Sequence, residues 1–532
     1  MMLTLFQHHR ARILSVVVAL SLIVFLLQLY TSFPPSRGPE LVHSSDPRPP
    51  TDSSAPSAPD TPATPPPPTT NTPGRPAAGP SLPSDYLAGS SESDFCQDRY
   101  GLQYLNHARD SATSHCSAES GSGLTCFWSK TAEGENRVDA MCVGTGATFA
   151  TDPRRFRLDC ALQNPENAPA VPGGLTKYWY GTGPGHVVSE AVEFAKPSGD
   201  AAPPAPVARR VSVLVHREGS HNLWHSLMEI MSTSWTLDVL RMTPSADGAA
   251  APPFLAEADA DSTQIVLLDD HPDGPYLDLW RLFAKLPIRR LKDLSSEPSS
   301  SSASTTTDIV IPFAGGSNPL WQGDWTDLSC HDSPLVKTFV ARALAHLAID
   351  PSPPRAPNVS VTFITRTTTR KLAGEHAHVA ALRAAIPHMA LDVVDFAALP
   401  LAAQLAAVRR TDLLVGVHGA GLTHLMFLQP GSAVVEILPE GFQHKGFRNL
   451  AQMLGHGYFR THARKVRKRG DGDSEEEENG GESSNHKDGK GRLRARDWQS
   501  EDVEISEDAL LAVVSAGVQS LYSKSLRSFD VS

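Results

Sequence analysis

The residues best suited to chemistry are His418, Gly419, Ala420 and Gly421, which follow the apolar run Leu413-Leu414-Val415-Gly416-Val417. A buried strand that ends in a histidine and a glycine turn, and then opens a helix, presents backbone N–H groups and a positive helix end to open space. That arrangement suits a phosphate group. Glycine turns of this kind also serve packing alone, but two flanking features favour an anionic ligand. Upstream, Val361-Thr362-Phe363-Ile364-Thr365-Arg366 reads as a strand running into a loop that also holds Arg370 and Lys371. Guanidinium forks match phosphate oxygens in pairs. Downstream, Glu436 sits in the run Val434-Val435-Glu436-Ile437-Leu438. An acid there is placed to take ribose hydroxyls. All three features fall at carboxyl ends of consecutive strands, the side on which open α/β sheets bind ligands.

A second cluster comprises Asn222, His225 and Glu229. With a helix starting near Asn222, these stack on one face at i, i+3 and i+7, while Leu223, Leu227, Ile230 and Met231 face a sheet. A histidine with a carboxylate one turn away suits a general base acting on a hydroxyl. The plainer reading makes Asn222 a helix cap and His225 a packing residue. Asp269-Asp270-His271 also ends a strand, but its acids are adjacent and Pro272 and Gly274 follow. It reads as a turn, so no metal ligands are assigned; a divalent ion is compatible with the sequence and not implied by it.

These groups must be positioned by alternating strands and helices. The first block comprises strands at 211–215, 264–268 and 308–312, with helices at 222–240, 276–284 and 336–348. The second has strands at 359–364, 391–396, 412–417 and 433–438, with helices at 376–385, 401–409, 423–428, 446–454 and 508–522. Alternation at these lengths predicts parallel sheets covered by helices. Two such blocks, meeting near residue 350, predict two Rossmann-like domains facing a cleft.

The chain has 532 residues and a formal net charge of −11, so no basic face for nucleic acid is expected. Residues 13–30 form an apolar run preceded by Arg10 and Arg12. It is long for the core of a cleaved signal peptide and lacks a small-residue cleavage site. It therefore reads as a signal anchor with residues 1–12 cytoplasmic and the remainder luminal. Residues 31–92 are rich in Pro, Ser and Thr and read as a disordered stalk. Inserts at 197–206, 244–253, 295–307 and 465–496 read as surface loops. The six cysteines, Cys96, Cys116, Cys126, Cys142, Cys160 and Cys330, suit disulfides in an oxidising compartment, with the pairing left open. Asn358-Val359-Ser360 is an N-glycosylation sequon. The expected division is 93–350 for an acceptor-side domain with a Cys-rich lead-in, and 351–532 for the ligand-binding domain.

The pattern resembles glycosyltransferase family 61, in particular its EGF-domain-specific O-linked N-acetylglucosamine transferase branch. The residues that carry the resemblance are Asn222-Leu223-Trp224-His225 with an acid at 229, then Trp280 after Asp269. They continue through Val361 to Arg366, Gly416 to Leu428, and Glu436-Ile437, with Phe447, Leu450, Ala451, Gly455 and Tyr458. Glu229 stands where the family usually has Asp, and Phe529-Asp530-Val531-Ser532 is not an ER retrieval signal. The resemblance implies a GT-B-like pair of Rossmann-type domains, a UDP-sugar donor and inversion at the anomeric carbon. It implies that Arg366 and His418 to Gly421 hold the diphosphate and Glu436 the ribose, with Asn222, His225 and Glu229 on the acceptor side. The expected activity is transfer of N-acetylglucosamine to Ser/Thr hydroxyls of luminal proteins by a type II membrane protein of the Golgi or endoplasmic reticulum. The alternatives are transfer of xylose to glycans and a catalytically silent sugar- or peptide-binding protein.

Overall fold

Two β-sheets organise the chain. The computed structural model describes residues 81–129, 139–166, 168–178, 181–196, 209–246, 251–294, 306–466 and 501–523, with the backbone alone at 528–531. The expected anchor at 13–30 and most of the stalk lie outside these residues, as do large parts of the four inserts. No helix among the described residues is long and apolar enough to cross a membrane.

The second sheet follows the expected pattern. Its order is 389–394, 359–364, 413–417, 433–439, 457–465, and these pairs are all parallel. Strand 528–531 also lies parallel to 457–465, and the short strand 503–504 pairs antiparallel with its end. Leu413–Val417 and Ala433–Pro439 are buried along their whole lengths, because helices such as Leu401–Arg409 and Glu507–Tyr522 cover the sheet. The strand order reverses between 359–364 and 413–417. Such a reversal splays the following loops apart and opens a crevice at the strand ends.

The first sheet departs from the expected parallel arrangement. Strand 211–215 pairs parallel with 263–267 and 307–311, but 307–311 pairs antiparallel with 139–151, which pairs antiparallel with 123–129. The segment expected to be only a Cys-rich lead-in thus supplies strands to the sheet. Its disulfides are Cys96–Cys330, Cys116–Cys160 and Cys126–Cys142. The last joins directly opposed residues on neighbouring strands.

Part of the segment expected as a stalk instead packs on the folded residues. Leu82 and Tyr86 pack on the core, Tyr86 Oη donates to Asp238 at 2.7 Å, and Arg342 pairs with Asp85. The helix expected at 276–284 shrinks to Leu277–Trp280.

Pro76–Ser532 is one compact unit, and one apolar core runs through both halves of it. That core joins Trp224, Leu227 and Met228 to Leu422, Leu425, Phe447 and Leu450. Helix Leu223–Met242 lies at its centre, with 18 of its 20 residues buried. A helix buried on every side is an interior helix, and His225 and Arg241 are its two residues that are not buried.

Candidate functional site

The loop after strand 359–364 and the turn after strand 413–417 face each other across the crevice of the second sheet. At Gly419, φ is +153°. A Cβ there would lie 2.4 Å from Arg366 Nη1 and 3.0 Å from Arg370 Nη2. Only glycine lets two guanidinium groups approach the backbone this closely. Arg366 Nε donates to the Thr369 carbonyl at 2.8 Å, which closes the loop on itself. Burial lowers the pKa of Arg366. Burial and repulsion from Arg366 lower that of Arg370 to about 10. Two half-buried like charges side by side raise each other's energy, and an anion between them would relieve it. The residue pattern predicts backbone amides as the anion-binding groups at this turn. Two of them are spent internally: His418 N–H donates to Ile437 and Leu422 N–H to Gly419. The paired arginines are the feature in their place, and Arg370 joins Arg366 in the site. Ala420 and Gly421 open a 3-10 helix, Ala420–Phe427.

His418 and Glu436 form a buried pair beside this turn. His418 Nδ1 lies 2.5 Å from Glu436 Oε1, and Tyr458 Oη donates to Glu436 Oε2 at 2.5 Å. Glu436 is 0% exposed. The expectation that Glu436 takes ribose hydroxyls is therefore corrected by its position: it lies mid-strand, turned inward, with both oxygens engaged by protein groups. Its partner is the imidazole. The pair places the ring proton on Nδ1. Burial lowers the His418 pKa despite the pull of Glu436, with His444 and Arg370 adding to the lowering, so the ring is neutral. His444 lies against it, with ring centroids 4.9 Å apart. His444 Nδ1 accepts from Gly446 N–H and its Nε2 lies 3.2 Å from Asp324 Oδ2, which places its proton on Nε2.

The Asn222–His225–Glu229 cluster is arranged differently from the expected single face. Asn222 caps the helix, its side chain accepting from Trp224 N–H and His225 N–H. His225 is half-buried and its Nδ1 lies 2.6 Å from Glu218 Oε1, so its carboxylate partner is Glu218 and not Glu229. Glu229 is buried, and its Oε1 accepts from Glu218 N–H at 2.6 Å. Burial pushes its pKa well above the usual carboxylate range, and its bond to the Glu218 amide fixes the loop carrying Glu218. Helical periodicity placed Glu229 one turn from His225 but took no account of the loop that folds back over the helix start. Glu218 is the functional residue that helical periodicity does not reveal; its signal in the sequence is an acid three residues past the end of strand 211–215.

The same loop is anchored by Arg217, which is 2% exposed and pairs with Asp269 at 2.8 Å. Burial alone would raise the Asp269 pKa, but the guanidinium and the Arg217 and His271 amides hold it below the usual range. The His271 amide bond to Asp269 at 3.0 Å is the turn that the sequence suggested. No group of three or more His, Cys, Asp or Glu placed to hold a metal ion occurs among the described residues. Asn358 is exposed just before its strand.

One segment links the two clusters. Trp321 stacks on His225 at 4.4 Å between ring centroids, and Asp324, three residues on, meets His444 beside His418. Trp224, next to His225, packs edge-on against Phe447 at 5.5 Å. Trp325 is 58% exposed at the rim of this wall, in edge contact with Phe442 and His444.

Residues 265–435 match the family Glycosyltransferase 61, a span that holds Asp269, Arg366 and His418 and stops one residue short of Glu436. The chain is 27% identical over 231 residues to the EGF domain-specific O-linked N-acetylglucosamine transferase of Drosophila melanogaster, covering 41% of this chain and 39% of that protein. It is 36% identical over 133 residues to the protein of the same name from Xenopus laevis, covering 24% of this chain and 25% of that one. The corresponding protein of Bos taurus is 32% identical over 133 residues, covering 24% and 25%. The chain thus spans well under half the length of these relatives.

Proposed function

We propose that this chain, a glycosyltransferase family 61 member resembling the EGF domain-specific O-linked N-acetylglucosamine transferases, is an inverting glycosyltransferase. It transfers N-acetylglucosamine from a UDP-sugar to Ser/Thr hydroxyls of luminal proteins. The observation that carries this reading is the pair of half-buried arginines, Arg366 and Arg370, against Gly419 at the strand-order reversal. Two fixed cations at such a point suit a diphosphate, and a leaving diphosphate is where negative charge develops in the reaction.

In the proposed reaction, His225 removes the proton of the acceptor hydroxyl while Glu218 holds the ring through Nδ1. The oxygen attacks the anomeric carbon, the bond from that carbon to the β-phosphate oxygen breaks, and UDP departs with the electron pair toward Arg366 and Arg370. A single displacement inverts the configuration. The two sheets correspond in this reading to the two halves of a GT-B fold. The apolar run at 13–30 serves as a type II anchor and places the site in the lumen of the Golgi or endoplasmic reticulum.

The test is a screen of UDP-sugars with the purified chain, followed by mass spectrometry of modified luminal proteins. Transfer from UDP-N-acetylglucosamine to Ser or Thr is expected. Transfer from UDP-xylose alone would replace the sugar assignment. Binding of UDP with neither hydrolysis nor transfer from any donor would leave a silent binding protein.

A further inference from the structure

We infer that His418, held by Glu436 and Tyr458, is the proton carrier at the nucleotide end of the cleft, binding one proton from solvent as the diphosphate arrives and releasing it as UDP leaves. The inference rests on the reading that Arg366 and Arg370 hold a diphosphate.

It follows from how the ring is held. Glu436 is wholly buried, and its two oxygens meet one donor each, His418 Nδ1 and Tyr458 Oη, both at 2.5 Å. The carboxylate sits ready beside the ring and keeps Nδ1 protonated, so Nε2 is the atom that gains a proton. The buffer acid loses that proton and the imidazole becomes an imidazolium. Every charged element packed around the ring bears on this step. From the facing loop after strand 359–364 come Arg370 and Arg366, both lying against Gly419. From strand 433–439 comes Glu436, and from strand 457–465 Tyr458. From the segment after strand 433–439 comes His444, whose Nε2 faces Asp324 of the first half of the chain. Without a ligand, the two arginines oppose a third positive charge, and burial opposes it further. A diphosphate against Gly419 reverses the sign of the local field, and Glu436 is then the partner that receives the imidazolium. This linkage requires UDP affinity to fall as pH rises through the pKa of His418 in the bound state, because binding then needs a proton that is scarcer.

The experiment is titration calorimetry of the intact chain with UDP at pH about 8 in Tris and in HEPES, whose ionisation heats differ. At that pH the terminal phosphate of UDP, with a pKa near 6, is already ionised. Arg370, at about 10, is also almost fully charged. Neither supplies a proton signal. The expected result is uptake of about one proton in the unmodified chain, and none in His418→Asn, which still binds UDP through its arginines. Equal heats in both buffers for the unmodified chain, or unchanged uptake in His418→Asn, would overturn the inference. Should His418→Asn fail to fold, Tyr458→Phe serves instead. Removing the competing donor makes Glu436 a stronger partner, so the pH at which UDP affinity falls moves upward; an unmoved midpoint overturns the inference. Arg366→Ala tells the two readings apart. If it leaves UDP affinity intact, the diphosphate site itself fails, whatever the proton count; if it weakens binding and the proton count is zero, the proton carrier alone fails.

Discussion

The two ends of the cleft solve opposite electrostatic problems. At the end proposed for the nucleotide, Arg366 and Arg370 lie together against Gly419, and burial and mutual repulsion hold the Arg370 pKa down to about 10. At the end proposed for the acceptor hydroxyl, Arg217 pairs with Asp269 and His225 with Glu218, while burial pushes the Glu229 pKa up. The first end gathers two cations against one glycine; the second sets cations and acids against each other within the protein. Substitutions at the second end should therefore act through stability or the reacting geometry, and substitutions at the first through ligand affinity.

The largest expected effect is at Arg217. Arg217→Ala leaves Asp269 buried without its cation, a loss of about 3–5 kcal/mol in stability, measured by denaturant unfolding. The pair also sets a pH dependence. The Asp269 pKa is depressed in the folded state, so its contribution is present above about pH 4 and is lost as pH falls through the folded value. An unchanged unfolding midpoint in Arg217→Ala would show that this loop does not depend on the pair.

His225→Ala is expected to lower kcat by about 100-fold or more, with little change in unfolding temperature because the ring is half-exposed and caps no core. Full turnover with UDP affinity retained would remove His225 as base. Gly419→Ala places a methyl group in the path of Arg366 and should weaken UDP binding by about 10- to 100-fold through the lost charge-assisted bonds, read by calorimetry, while unfolding by denaturant changes less. The smallest effect is at the cap. Asn222→Ala removes the acceptor for two helix amides and should cost about 1 kcal/mol of stability while UDP affinity stays unchanged. A large loss of UDP affinity there would mean that the two ends are coupled through the helix.

Much of the second half was legible in the residue pattern. Strand 359–364 and helix 401–409 lie where the apolar runs placed them, and strand 413–417 begins one residue later than expected, because strands buried on both faces are continuous apolar runs between polar turns. The antiparallel strands 123–129 and 139–151 were not legible. Their residues mix small, polar and apolar types without a clear period, and their pairing is set by partners far along the chain, down to Ile309 and Ile311.

The amino-acid sequence by itself determined which residues stand at strand ends: Arg366, His418 and the loop from His216 to Asn222. It did so because local propensity and apolar periodicity act over a few residues. Only the tertiary structure decided the partners of the acids. Glu436 turns inward to His418, Glu229 to the Glu218 amide, and Glu218 to His225. The reason is range. A hydrogen bond forms at about 3 Å between groups that loops bring together, and periodicity along one helix or strand carries no record of what folds over it.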